Sequence, residues 1–295
     1  MREQVYHDQN RSLLGTAYCG CEWQWVGRSG GRVEHARCGY EMRGQAQRAT
    51  RLEWEHVVPA QSFGRQRQCW QRGGRDACRA HDPVFRAMEA DMHNLVPAIG
   101  ETNAERSNFR LGVLPGTLKR HGACDFKVDV QARVVEPRDA VKGMFARTYF
   151  YMHDRYDLSM SDAQQRLLMA WDRAFPPTPW ERERDRRIAR IQGHSNPYVT
   201  GEQRWERGRR NSGAGLATPS AADPAEPERH DPATQPRIAD PAPGTAVVLG
   251  NRRSKVYHLR ERCPDYASIA ARNRIEFASE DEARTAGYRR ARNCR

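Results

Sequence analysis

Within the run Arg51-Leu52-Glu53-Trp54-Glu55-His56-Val57-Val58-Pro59-Ala60, a carboxylate sits next to an imidazole, and further on comes Gly100-Glu101-Thr102-Asn103-Ala104-Glu105-Arg106-Ser107-Asn108. A carboxylate can hold a hard cation, and an imidazole can move a proton near neutral pH. Those are the tools of metal-assisted phosphodiester hydrolysis, in which water is deprotonated, charge on the phosphorane is neutralised and the departing 3′ oxygen is stabilised. Adjacent side chains of a strand point to opposite faces. Glu55 and His56 can therefore serve one site only at a bend or strand end, which Pro59 is placed to supply, and a second element must bring the remaining ligand.

The elements expected to carry these groups are mostly helical, around a short hairpin. Val141, Phe145, Thr148, Tyr149 and Met152 recur at three- and four-residue steps, predicting a helix over 139–154 with one buried face. Ser161 with Gln164 makes a capping box ahead of Leu167, Leu168 and Trp171. Thr178, Pro179 and Glu181 open a charged helix that should stop near Gly193. Shorter helices are expected from Pro83 to Asn94 and from Asn103 onward.

Basic residues outnumber acidic ones 49 to 37, a net charge of +12, and the only lysines are Lys119, Lys127, Lys142 and Lys255. A high-GC genome also favours arginine over lysine, but the excess charge steers anions whatever its origin. Charge and proline divide the chain into three expected parts: a domain over 1–207, a Pro/Ala-rich linker over 208–244 that holds seven of the 17 prolines, and a small basic module over 245–295. No stretch is long and apolar enough for a membrane span. Met1-Arg2-Glu3-Gln4-Val5-Tyr6 leads into no apolar core of a signal peptide. The even set Cys19, Cys21, Cys38, Cys69, Cys78 and Cys124 nevertheless implies disulfides and an oxidising compartment, though spacing alone cannot choose the pairing. A leader trimmed away, or a start assigned too late, reconciles the two.

The motifs quoted above occur in order with Phe63-Gly64, Gln68-Cys69-Trp70-Gln71, Gly73-Gly74-Arg75, Phe85 through Leu95, and Arg187-Ile188-Ala189-Arg190-Ile191-Gln192-Gly193. The stretch from about Tyr18 to Val199 resembles the bacterial endonuclease I family, secreted or periplasmic nucleases of the ββα-metal kind. The resemblance implies an α+β fold, mainly helical, with a ββα-metal nuclease core. It implies His56 as general base, Glu55 and Asn103 as ligands of one Mg²⁺ with Mn²⁺ or Ca²⁺ as other occupants, and Arg75 as the phosphate grip. It implies the pairs Cys19 with Cys124, Cys21 with Cys38, and Cys69 with Cys78. The blander readings are a helix cap for Asn103, an ion pair with Asp76 for Arg75, and, for the His93–Asn94 segment, a buried histidine bonding the backbone, with support of the site as the most these two would offer.

The segment from Gly250 to Cys294 resembles the small metal-binding domain of the Ada DNA-repair protein, and a small α+β module is expected there. That family's zinc site uses four cysteines, whereas this segment has Cys263 and Cys294 with His258 as a third candidate. A disulfide closing the module is the favoured expectation and zinc the alternative. With no sequence-reading element evident, phosphate contacts should dominate. The expected protein is a monomeric, exported, nonspecific endonuclease acting on single- and double-stranded DNA, with RNA left open and no membrane partner. The competing reading is a catalytically weak DNA-binding protein that retains the nuclease fold.

Overall fold

A computed structural model describes residues 1–216 and, in the tail, 248–259, 263, 266, 269, 273–277, 279–291 and 294. The chain is mixed α+β and divides into two compact units, Met1–Asp223 and Pro224–Arg295.

The first unit carries an antiparallel sheet in the order β1 (Trp23–Val26), β2 (Gly30–Val33), β3 (Arg51–His56), β4 (Leu95–Ile99). A smaller sheet holds β5 (Arg110–Leu111), β6 (Lys119–His121), β7 (Cys124–Asp129) and β8 (Val134–Glu136) in the order β5-β8-β7-β6, with β5 parallel to β8. Between and after these strands come α1 (Ala60–Gly64), α2 (Gly74–His81), α3 (Pro83–Ala90), α4 (Gly100–Arg106), α5 (Asp139–Arg155), α6 (Asp162–Ala174) and α7 (Pro179–Gln192). Pro59, extended at ψ 144°, caps α1 just past the end of β3, so the strand end needed to bring Glu55 and His56 together is present.

The single buried face expected for α5 is corrected: every residue from Val141 to Asp154 is buried. Apolar spacing could not show this, because the polar residues of the helix are buried by pairing rather than left to solvent. Arg147 donates to Glu181 at 2.7 and 2.6 Å and to Asp172 at 2.7 Å, while Lys142 donates to Glu136 at 2.6 Å and to Asp139 at 2.7 Å. Helix ends follow local chemistry more closely. The Ser161 hydroxyl accepts from the Gln164 N–H at 3.3 Å, that of Thr178 from the Glu181 N–H at 3.1 Å, and α7 stops at Gly193, whose φ of +79° suits glycine.

Two boundaries differ from expectation. The run from Pro83 breaks at Asp91, whose carboxylate accepts the His93 N–H at 3.0 Å and opens a short 3₁₀ turn over Met92–Asn94. The helix expected from Asn103 begins at Gly100 instead, placing Asn103 in its second turn.

Three disulfides staple the first unit: Cys19–Cys124, Cys21–Cys38 and Cys69–Cys78. The start of the expected linker does not run free. Ser212 and Gly213 donate to Asp154 at 2.8 and 2.9 Å, and Gly215 donates to the Arg155 carbonyl at 2.7 Å. The rest of the expected linker, from 217, lies outside the described residues.

The second unit has a sheet in the order β11 (Arg274–Phe277), β9 (Val248–Asn251), β10 (Val256–Leu259), β12 (Arg289–Arg290), with α8 (Glu280–Thr285) capped by Ser279. Val248, Tyr257, Phe277 and Tyr288 form its core. Cys263 and Cys294 are joined, and His258 has a ring nitrogen within 4.8 Å of both sulfurs. The disulfide takes both thiolates on which the zinc alternative draws.

Candidate active site

Glu55, His56, Arg75 and Asn103 line a single cleft of about 500 Å³. Strand β3 contributes the first two, α4 brings Asn103 and α2 brings Arg75. In the β3–β4 ladder Glu53, Glu55 and His56 stand opposite Ala98, Val96 and Leu95, and α4 follows directly on β4, so β4 links β3 to the helix that brings Asn103 to the cleft.

Glu55 is 5% exposed. The Tyr18 hydroxyl donates to its Oε1 at 2.9 Å, and Arg106 Nε lies 3.3 Å from the same oxygen. Burial pushes its carboxyl up to about 7, against the opposing pull of Arg106 and Tyr18. Arg106 is fully buried and spends its remaining donors on the Phe109 carbonyl at 2.6 Å, the Val57 carbonyl at 2.8 Å and the Tyr149 hydroxyl at 3.2 Å. It ties α4 to the exit of β3 and supplies the nearest positive charge to Glu55.

The proton position on His56 follows from its partner. Its Nε2 lies 2.8 Å from the Glu89 carbonyl, which can only accept, so Nε2 carries the hydrogen and Nδ1 keeps the lone pair. Burial holds the imidazole below its usual range, favouring the neutral ring.

Asn103 is oriented in the same manner. Its Nδ2 donates to Glu53 at 2.9 Å, which fixes the amide and leaves Oδ1 as the remaining acceptor. Glu53 is in turn gripped by Arg48 and, at 2.9 Å, by Arg51. Arg75 pairs not with Asp76 but with Glu89, at 2.6 Å. His93 and Asn94 are absent from the cleft lining. Asn94 bridges the backbone of Val58, accepting from its N–H at 2.7 Å and donating to its carbonyl at 3.0 Å, and His93 Nε2 meets the His194 carbonyl at 3.1 Å.

Four residues that shape the site were given no role from sequence: Tyr18, Glu53, Glu89 and Arg106. Arg106 had the best available signal, since it lies three residues after Asn103 and so on a neighbouring face of the same helix.

A carboxylate, an oriented amide oxygen, a neutral imidazole and an arginine converging on a polar cleft form the equipment of a hydrolase. Its kind is settled by residues 1–202, which match the Endonuclease I model: the chain belongs to that family and is a nuclease. It is 48% identical over 185 residues to an extracellular deoxyribonuclease of Aeromonas hydrophila, covering 62% of this chain and 81% of that protein. A periplasmic deoxyribonuclease of the same species is 46% identical over 190 residues, covering 64% and 79%. Endonuclease-1 of Buchnera aphidicola subsp. Acyrthosiphon pisum is 45% identical over 190 residues, covering 64% and 75%.

Proposed function

We propose that this nuclease is a metal-dependent endonuclease that hydrolyses phosphodiester bonds in single- and double-stranded DNA with little regard to sequence. The observation that carries the reading is the His56 Nε2–Glu89 bond, which leaves Nδ1 as a free base in the cleft shared with Glu55 and Asn103. The relatives' names, deoxyribonuclease in two cases, supply the substrate class.

The residues present fit a hard divalent cation. Glu55 is a buried carboxylate whose negative charge is poorly compensated by its surroundings, as its raised pKa records, and Asn103 has its amide nitrogen committed so that the oxygen remains. Oxygen donors of this type suit Mg²⁺, which keeps several waters. Bound by Glu55 and Asn103, such an ion would supply Lewis acidity to the phosphoryl oxygen and the departing 3′ oxygen. On this reading β3, β4 and α4 are a ββα-metal core.

The chain's own groups do the rest. His56 Nδ1 accepts a proton from the attacking water, and the Glu89 carbonyl keeps the ring in place and favours its charged form afterwards. Arg75, held through Nε, has its terminal nitrogens left for the phosphate and can donate to it in a fork. Glu53 touches no reacting atom; it positions Asn103. We also place the enzyme outside the cytosol, on the strength of its disulfides and the relatives named extracellular and periplasmic. Among the described residues no helix is long and apolar enough to cross a membrane.

The test is conversion of supercoiled plasmid by oxidised protein with Mg²⁺ or with EDTA. Nicking with Mg²⁺ and none with EDTA is expected. A mobility shift without nicking in either condition would favour the DNA-binding alternative. Glu53→Gln is expected to weaken Mn²⁺ binding about 10- to 100-fold by titration calorimetry, the scale typical of a lost outer-shell partner. Unchanged affinity would remove Glu53 from the site.

A further inference from the structure

Two arginines share the Glu89 carboxylate, and the reaction as described uses only one of them. Arg75 Nε donates to Oε1 at 2.6 Å, and Arg79 Nε donates to Oε2 at 2.7 Å. Among the described residues, no hydrogen bond engages the Nη atoms of either side chain. Glu89 is mostly covered, with 15% of its side chain exposed, whereas Arg75 and Arg79 are 44% and 50% exposed. One carboxylate therefore presents two guanidinium forks side by side to solvent, with a net positive charge that it cannot neutralise. Asp76, exposed on the same helix, acts on Arg79 through its charge at a distance and makes no ion pair with either arginine among the described residues.

We propose that Arg79 is a second phosphate-binding residue, set by Glu89 next to Arg75 so that the two take consecutive phosphates of one nucleic-acid strand. Residues four apart on a helix have Cβ atoms roughly 5–6 Å apart, a step comparable to that between neighbouring phosphates of a strand. The helix that carries both is rigidly mounted. The Cys69–Cys78 bond ties α2 to the turn before it, and Arg67 clamps Asp82 at 2.7 and 3.0 Å where α2 hands over to α3. Arg86 adds a further tie, donating to the Arg79 carbonyl at 3.0 Å. A guanidinium held by its Nε has less freedom left to lose when its outer fork meets a phosphate.

The inference rests on Arg75 as the ligand of the phosphate that is cut, and the experiment separates the two. A fluorescein-labelled DNA duplex is titrated by anisotropy at several salt concentrations in EDTA, with His56→Ala as the parent so that no cleavage intervenes. Adding Arg79→Gln should flatten the slope of log affinity against log salt by about 0.9, the value of one phosphate contact on a duplex, and weaken binding equally for unrelated sequences. Arg166→Gln removes the same charge from α6, a helix that brings no residue to the cleft, whereas α2 brings Arg75 beside Arg79, and should leave the slope as in the parent. A slope unchanged by Arg79→Gln, or changed equally by Arg166→Gln, overturns the proposal. Arg75→Gln in the same background reports on the underlying reading: if it leaves the slope unaltered, the Arg75 assignment fails, whatever Arg79→Gln shows.

Discussion

His56→Ala lowers the rate of plasmid cleavage about 10²- to 10⁴-fold, the usual weight of a positioned general base, while affinity for DNA stays within about threefold of wild type. The separation is expected because the imidazole bonds to the Glu89 carbonyl and not to a group that binds phosphate. A ring whose Nε2–H is held by a carbonyl has one tautomer when neutral, so Nδ1 is ready to accept a proton without any rearrangement. The pH profile carries a second signature. Burial lowers the His56 pKa, so the neutral, active ring is populated to lower pH than an exposed histidine would allow. With Mg²⁺ saturating at every pH, so that proton competition at Glu55 is overcome, the acid limb assigned to His56 should therefore fall below the ordinary imidazole range and be missing from the residual rate of the variant. Plasmid nicking across pH, with anisotropy for binding, checks both. A variant that cleaves like wild type would end the general-base assignment.

What could be read from sequence was what is local. The segments of Glu55, His56 and Asn103, which the fold brings to one cleft, stand out because carboxylate, imidazole and amide sit in short recognisable runs, and Ser161, Thr178 and Gly193 mark helix ends through bonds made within one turn. The supporting shell was hidden because its contacts span the chain. Tyr18 reaches Glu55 across 37 residues, His56 reaches the Glu89 carbonyl across 33, and Asn103 reaches Glu53 across 50. Nothing in the type or spacing of these partners singles them out. The start of α4 was misplaced for a related reason. Asn103 is a good capping residue by type, whereas Ile99, the actual cap position, is not, and the buried first-turn Glu101 serves a different segment. It accepts from the Gly44 and Gln45 N–H groups at 2.8 Å each and from the Tyr40 hydroxyl at 2.6 Å, which holds its carboxyl down at about 2. The full burial of α5 escaped notice because Arg147 looks like a solvent-facing residue until Glu181, 34 positions away, comes to meet it.

Glu55→Gln should be the second severe loss: no metal-stimulated cleavage, and Mn²⁺ binding weakened at least about 100-fold by calorimetry, since the ligand loses its charge and keeps only a neutral amide oxygen. The same substitution tests where the site stores its tension. In the metal-free protein the Glu55 carboxyl titrates near 7 rather than at its ordinary 4.5, so between those values the folded state holds a proton that the unfolded state has released. Stability from this group is therefore fully present below pH 4.5 and is lost as pH rises through about 7, a penalty of at most about 3 kcal/mol at 1.36 kcal/mol for each tenfold change in proton affinity. Arg106, 3.3 Å away, offsets part of the penalty without removing it. A cation supplies the missing charge, and it competes with the proton for the same oxygen. Metal affinity of the wild type should then fall about tenfold for each pH unit below 7, and melting in EDTA should show Glu55→Gln gaining on wild type between pH 5 and pH 8. A glutamine variant that binds Mn²⁺ as tightly as wild type, or a wild-type affinity indifferent to pH across that window, would take the metal away from Glu55.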